Sequence, residues 1–103
     1  MLGLLAVAAL AAQVHDHDHD HAPRLGQLNF ESSCTPAAQA SLVQGLEWLH
    51  SFEYLRAEQQ FSNAASADPA CGIADWGVAM SNYHPLWAAP TQTELKKGMA
   101  AID

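Results

Sequence analysis

Apolar positions return at helical spacing along most of this chain. Leu42, Leu46 and Leu49 stand at i, i+4 and i+7 and are joined by Val43, Trp48 and Phe52. This broad stripe predicts a helix over residues 36–52. Thr35 and Pro36 supply its start, the threonine as N-cap and the proline at the first helical position, where its missing N–H forfeits no bond. A second helix is predicted over 54–67, with Leu55, Ala57, Phe61, Ala64 and Ala65 inward and Arg56, Glu58, Gln59 and Gln60 outward, and Asp68-Pro69 stops it. A third, over 72–83, carries Ile73, Trp76, Val78, Ala79 and Met80 and ends ahead of Pro85. "HPLWAAP" then reads as an irregular loop presenting Leu86 and Trp87. Thr91-Gln92-Thr93-Glu94 has the spacing of a capping box and opens a fourth helix, on which Leu95, Met99 and Ile102 again repeat at i, i+4 and i+7. Four helices with short breaks and almost no β-branched runs make the fold class all-α.

Within this pattern Ala57, Phe61, Ala64 and Pro69 are separated by four, three and five positions. Two antiparallel helices approach closely only where small residues face each other and a large one fills the space beside them. These are the Ala, Phe, Ala and Pro offsets of the tetratricopeptide repeat, a helix pair of roughly 34 residues. In the same frame Gly45 takes the small position of the first helix and Trp48 the aromatic one, while Trp76 and Ala79 fall in the first helix of a following repeat. Ser41, Gln44 and Asn82 depart from the pattern, which prefers Trp, Leu and an aromatic there. The expected architecture is a tetratricopeptide-like α-solenoid fragment of about one and a half repeats over residues 36–103, preceded by a lead-in over 24–35.

"LNFESSC", "GLEWLHSFEYLRAEQQFSNAASADPACGIADWGVAMS" and "HPLW" together resemble the N-terminal part of a family of exported bacterial tetratricopeptide-repeat proteins. In that family an export signal and a His-rich stretch precede an N-F-x-x-S-C lead-in, a helix reading L-H-S-F, and D-P-x-C followed by a W-G helix. The resemblance covers essentially the whole chain. It implies stacked helix pairs and an exported location, and speaks to fold and compartment more than to one activity. Family members are generally longer. A repeat of this kind cannot bury its apolar face alone, and arrays usually need three or more units. The chain is therefore expected to be an N-terminal fragment or a capping piece, completed by further repeats or by a partner.

The flanks fit export. "MLGLLAVAALAAQ" holds about eleven small and apolar residues from Leu2 to Ala12, the length of a signal-peptide core and too short to span a bilayer. Ala9-Leu10-Ala11 offers a small-x-small cleavage pattern, although no Lys or Arg precedes Arg24. Residues 1–12 thus read as a signal peptide cleaved near Ala11 or Ala12, with a buried apolar helix as the alternative. Cys34 and Cys71, the only cysteines, each stand just before the first helix of a structural unit, and equivalent points on stacked units are neighbours. A disulfide between them is plausible on that ground, and two buried thiols are the alternative.

Residues 13–23 form a His/Asp tract in which His15, His17, His19 and His21 alternate with Asp16, Asp18 and Asp20. In an extended chain the imidazoles line one side and the carboxylates the other. Imidazole suits Zn, Cu and Ni, so the tract reads either as a solvated spacer with adventitious metal affinity or as a metal-scavenging segment. No resident cofactor is expected. Four Lys plus Arg against eleven Asp plus Glu give a formal charge of −7, with no basic cluster to neutralise phosphates, so nucleic acid is not an expected partner. No apolar run reaches the roughly eighteen residues of a membrane helix, so stable membrane insertion is not expected either.

Catalytic patterns are weak. Glu47 and His50 have the Glu-x-x-His spacing of di-iron bundles, but only one such motif is present where two are needed, and His50 reads as a helix-end hydrogen-bonder near Ser51. Around His84 no nucleophile, base and orienting carboxylate can be assembled, and there is no phosphate-loop, dinucleotide or nucleophile-elbow fingerprint. The reading that emerges is a non-enzymatic, exported module that binds a protein or peptide through the first helix of each pair and the loop bearing Leu86 and Trp87. Metal binding by the His/Asp tract is the competing reading.

Overall fold

The computed structural model describes residues 25–84 and 86–103. Among these residues the fold is all-helical: α1 (Pro36–His50), α2 (Tyr54–Ala67), α3 (Gly72–Tyr83) and α4 (Gln92–Ile102). Each helix packs on the next in sequence, and α1 also touches α3.

The helix ends follow from local chemistry. The Thr35 side chain accepts from the Ala38 N–H, and Pro36 opens α1. Its other end is a Schellman turn: the Phe52 N–H donates to the Leu49 carbonyl and the Glu53 N–H to that of Trp48, both near 3.0 Å. That turn needs a left-handed residue, and Phe52 supplies it at φ 60° where glycine is usual. At α4 the capping box is complete, with the Glu94 N–H on Thr91 Oγ1 at 3.2 Å and the Thr91 N–H on Glu94 Oε1 at 2.9 Å.

The core is built from α1, α2 and the start of α3: Ala38, Leu42 and Leu46, then Ala57, Phe61 and Ala64, then Cys71 and Ala74. Phe61 is its largest fully buried side chain. Its ring lies between two glycines, Gly45 on α1 and Gly77 on α3, and a Cβ on Gly45 would come within 2.7 Å of it. The small residues at 45 and 77 thus admit the ring that joins three helices.

One expectation about faces is corrected, and the structure adds which sides of α3 and α4 are buried. Leu55, expected inward, is 86% exposed; the buried stripe of α2 runs through 57, 61 and 64, and a position two residues before 57 points to the opposite side of a helix. On α3 the buried residues are Ala74, Gly77, Ser81 and Asn82, while Trp76 is on the surface. Phe61 requires small neighbours, so the large apolar residues of α3 are displaced to its flanks. On α4, Gly98 meets Ala79, whereas Leu95, Met99 and Ile102 remain exposed beside Ala79, Met80 and Tyr83.

The lead-in is tied down at several points. Leu28 and Phe30 pack on the core, and the Gln39 side chain donates to the Phe30 carbonyl while accepting from Ser32. A disulfide joins Cys34 to Cys71, with Cα atoms 5.1 Å apart. Alongside it, the Asp68 carboxylate accepts from the Thr35 N–H at 3.0 Å and from the Ala70 N–H at 3.1 Å. The residue expected only to stop α2 therefore also fastens the α2–α3 turn to the start of α1.

Candidate functional site

An open cleft of about 490 Å³ lies between the start of α2, the end of α3, the following loop and α4. Its polar floor starts with Asn82, a buried amide near the end of α3. The Asn82 side chain donates to the Val78 carbonyl at 2.9 Å and to Glu58 Oε2 at 3.1 Å, so its burial costs no unpaired donor. The other Glu58 oxygen is paired with Lys97 of α4. These contacts explain why Glu58, expected outward, is half-buried.

A second ion pair joins His84, which follows α3, to Glu94 in the first turn of α4. The imidazole Nδ1 lies 3.2 Å from the Ala88 carbonyl and must donate to it, and the ring leans on Tyr54 with centroids 5.4 Å apart. The hydrogen bond to Glu94 raises the His84 pKa above 6.5, against a smaller opposing effect of desolvation. Glu94 is lowered to about 2, first by the Thr91 backbone N–H, then by His84 and by the Thr91 hydroxyl. The capping box and the ion pair thus share one carboxylate. This single side chain starts α4 and links it to the end of α3.

The rim is apolar and wet. Trp87 is 71% exposed, and its ring edge meets Phe52 in a T-shaped contact at 6.2 Å between centroids. Its indole N–H reaches the Phe52 carbonyl only at 3.5 Å. Leu55 lines the same cleft from α2. Two large apolar side chains are therefore held in water at the mouth of a concavity floored by two ion pairs, an arrangement suited to gripping an apolar side chain while offering hydrogen bonds to its backbone.

The residues singled out from the sequence are distributed unevenly around this cleft. Trp87 is at its rim and Leu86 is exposed beside it. Gly45, Ala57, Phe61 and Ala64 belong to the core, Pro69 lies in the exposed α2–α3 turn, and Ala79 is half-buried under Gly98. Trp48 is half-buried with the Arg56 guanidinium stacked 4.7 Å above it. The metal ligands expected at His15, Asp16, His17, Asp18, His19, Asp20 and His21 lie outside the described residues, as does the expected signal peptide. Sequence reasoning did not bring Glu58, Asn82, His84, Glu94 and Lys97 together. The available signals were a polar Asn82 at a position where the repeat prefers an aromatic, and a capping-box glutamate with one oxygen to spare.

Compared with known protein families, characterised proteins and solved structures, the chain has no match. No helix among the described residues is long and apolar enough to cross a membrane.

Proposed function

We propose that this chain is a non-catalytic protein- or peptide-binding module of an exported protein, built on tetratricopeptide-like helix pairs. A peptide segment lies across the cleft, with one apolar side chain against Trp87 and Leu55 and its backbone toward Glu58, Asn82 and Lys97. The observation that carries this reading is the exposure of Trp87 at the mouth of the cleft. An aromatic side chain left in water at a concavity is the commonest anchor of a binding hot spot. Export is supported by the apolar leader and by the Cys34–Cys71 bridge, which suits an oxidising compartment. The repeat reading is supported by Gly45, Ala57, Phe61 and Ala64, which pack together as the repeat offsets require.

Selection of a phage-displayed random peptide library on the immobilised full chain tests the reading. Enriched peptides should share an aromatic or large aliphatic residue, bind in the micromolar range, and lose binding to a Trp87→Ala variant. Peptides that bind the variant equally well, or a library that fails to enrich, would overturn it.

A further inference from the structure

The peptide cleft uses one side of α4 and leaves the other bare. Leu95, Met99 and Ile102 recur there at i, i+4 and i+7, and Met99 and Ile102 are 64% and 62% exposed. With Met80 and Tyr83 of α3 they border a shallow groove of about 190 Å³. Trp76 stands at helical spacing ahead of Met80 and Tyr83, and it too is on the surface. Trp76, Tyr83, Leu95, Met99 and Ile102 are all large and more than a third exposed. At about 200 Å² for a fully exposed side chain of this size, they leave roughly 500 Å² of apolar surface in water. A standard interface takes about 800 Å² from each partner, somewhat more than half of it apolar. The face is thus large for the surface of a lone molecule and matches one macromolecular contact.

Which partner fits is decided by the charges at its edge. Lys96 and Asp103 are both exposed, and neither is in an ion pair among the described residues. Seven positions make about two helical turns, so the two share one edge of the Leu95, Met99 and Ile102 stripe, the edge away from Gly98 and α3. They stand at equal distances to either side of a point between Met99 and Ala100. Turning one α4 end over end about that point brings Lys96 of each copy beside Asp103 of the other. The same operation sets Leu95 of one copy near Ile102 of the other, with the two Met99 side chains in the middle. A parallel arrangement would oppose Lys96 to Lys96 and Asp103 to Asp103. Opposite charges at mirrored positions are what a surface needs to match itself across a two-fold axis.

We propose that this face binds a second copy of the chain, α4 lying antiparallel on α4 about a two-fold axis near Met99 and Ala100. Apolar contact supplies the affinity, and the two Lys96–Asp103 pairs supply the direction. Two chains of formal charge −7 repel each other, but at about 0.15 M salt that repulsion is screened beyond about 8 Å, whereas the apolar contact is not. Lys97, which lines the peptide cleft, stands about half a turn round α4 from the stripe. The dimer therefore leaves the cleft open, and neither reading depends on the other.

Sedimentation equilibrium of the full chain from about 5 to about 500 μM, with EDTA present so that the His/Asp tract cannot bridge copies through metal, should show a monomer–dimer equilibrium with a micromolar Kd. Met99→Glu sets two carboxylates at the axis and should leave the chain monomeric; the exposure of Met99 lets the fold accept the change. Lys96→Glu should weaken dimerisation by about fivefold or more, because symmetry counts the change twice. Lys96→Glu/Asp103→Lys should restore it to within about twofold of the wild type. In the wild type, the Met99 and Ile102 methyl resonances should shift as concentration rises while the Trp87 indole resonance stays, a readout that needs no variant. A wild type still monomeric at about 500 μM would overturn the proposal and leave the face to a different protein segment. So would a dimer indifferent to Met99→Glu or to Lys96→Glu, a charge swap that restores nothing, or shifts confined to Trp87.

Discussion

Gly77 lies so close to Phe61 that a Cβ built on it would stand 2.3 Å from two carbons of the aromatic ring. The ring is fully buried and has Gly45 on its other side, so it cannot move away. Alanine is the better helix former by about 1 kcal/mol, but overpacking a closed core costs roughly 1–3 kcal/mol, and here the contact is far inside van der Waals range. Gly77→Ala is therefore expected to lower the urea unfolding midpoint. Gly72→Ala at the start of the same helix, where nothing lies within 4 Å of the added carbon, should leave the midpoint unchanged or raise it, with a gain in stability of up to about 1 kcal/mol. A rise in both variants would show that the ring is not confined as described.

Phe52 offers a different test, because its strain and its exposure coincide. It holds φ 60° at the end of α1, is 47% exposed, and its ring and carbonyl both face Trp87. A left-handed conformation costs a non-glycine residue about 1–2 kcal/mol. Little of that is returned by burial, which points to a role in holding the indole at the cleft. Phe52→Gly should raise stability by about 0.5–1 kcal/mol in denaturant unfolding. The same variant should weaken binding of the peptides selected on the wild type, measured by calorimetric titration. Lower stability with unchanged peptide affinity would contradict the assignment.

The disulfide sets the stability of the lead-in. Cys34 and Cys71 are 37 positions apart, so closing that loop restricts the unfolded chain by roughly 2–4 kcal/mol. A Cys34→Ala/Cys71→Ala variant should be destabilised by about that amount in urea. Hydrogen exchange should show residues 25–35 losing protection before α1 and α2 do. The Asp68 bonds to Thr35 and Ala70 cross the same junction, so Asp68→Ala in the cysteine-free background should loosen the lead-in further. Uniform loss of protection over all four helices would show instead that the bridge stabilises the fold as one unit.

Local chemistry made the helices readable in advance: Thr35-Pro36, Asp68-Pro69 and the Thr91/Glu94 box act within a few residues, and the structure has α1, α2, α3 and α4 at those boundaries, α1 stopping at His50 rather than at residue 52. The Ala57, Phe61 and Ala64 stripe was legible for the same reason, since its spacing is the helical period itself. What the periodicity hid was which side of α3 turns inward. Ile73, Trp76 and Val78 have the larger transfer free energy, yet the side facing Phe61 is decided by volume, and Gly77 fits there. The cleft was illegible for another reason: Glu58, Asn82, His84, Glu94 and Lys97 meet only through contacts between three different helices and a loop.

The pair His84–Glu94 gives the cleft a pH dependence whose sign is fixed by the two shifts. The folded state raises His84 above 6.5, so this group contributes stability that is complete below pH 6.5 and is lost as pH rises through its folded pKa. Glu94 is lowered from 4.5 to about 2, so its contribution is complete above pH 4.5 and is lost as pH falls toward 2. Both act together between pH 4.5 and 6.5. The thermal midpoint of the wild type should therefore fall more between about pH 5.5 and pH 8.5 than that of His84→Gln, which has no charge to lose. Tyr54, Glu58 and Lys97 line the same cleft and are common to both proteins, as are the tract histidines, so the difference between the two curves isolates His84. Because Glu94 also caps α4, its replacement by Gln should keep part of the capping box while removing the charge, and should flatten the dependence on the alkaline side. Parallel curves for wild type and His84→Gln would mean that the ion pair does not persist in solution, and that α4 is held by packing such as Gly98 on Ala79 of α3 and by the Glu58–Lys97 pair to α2.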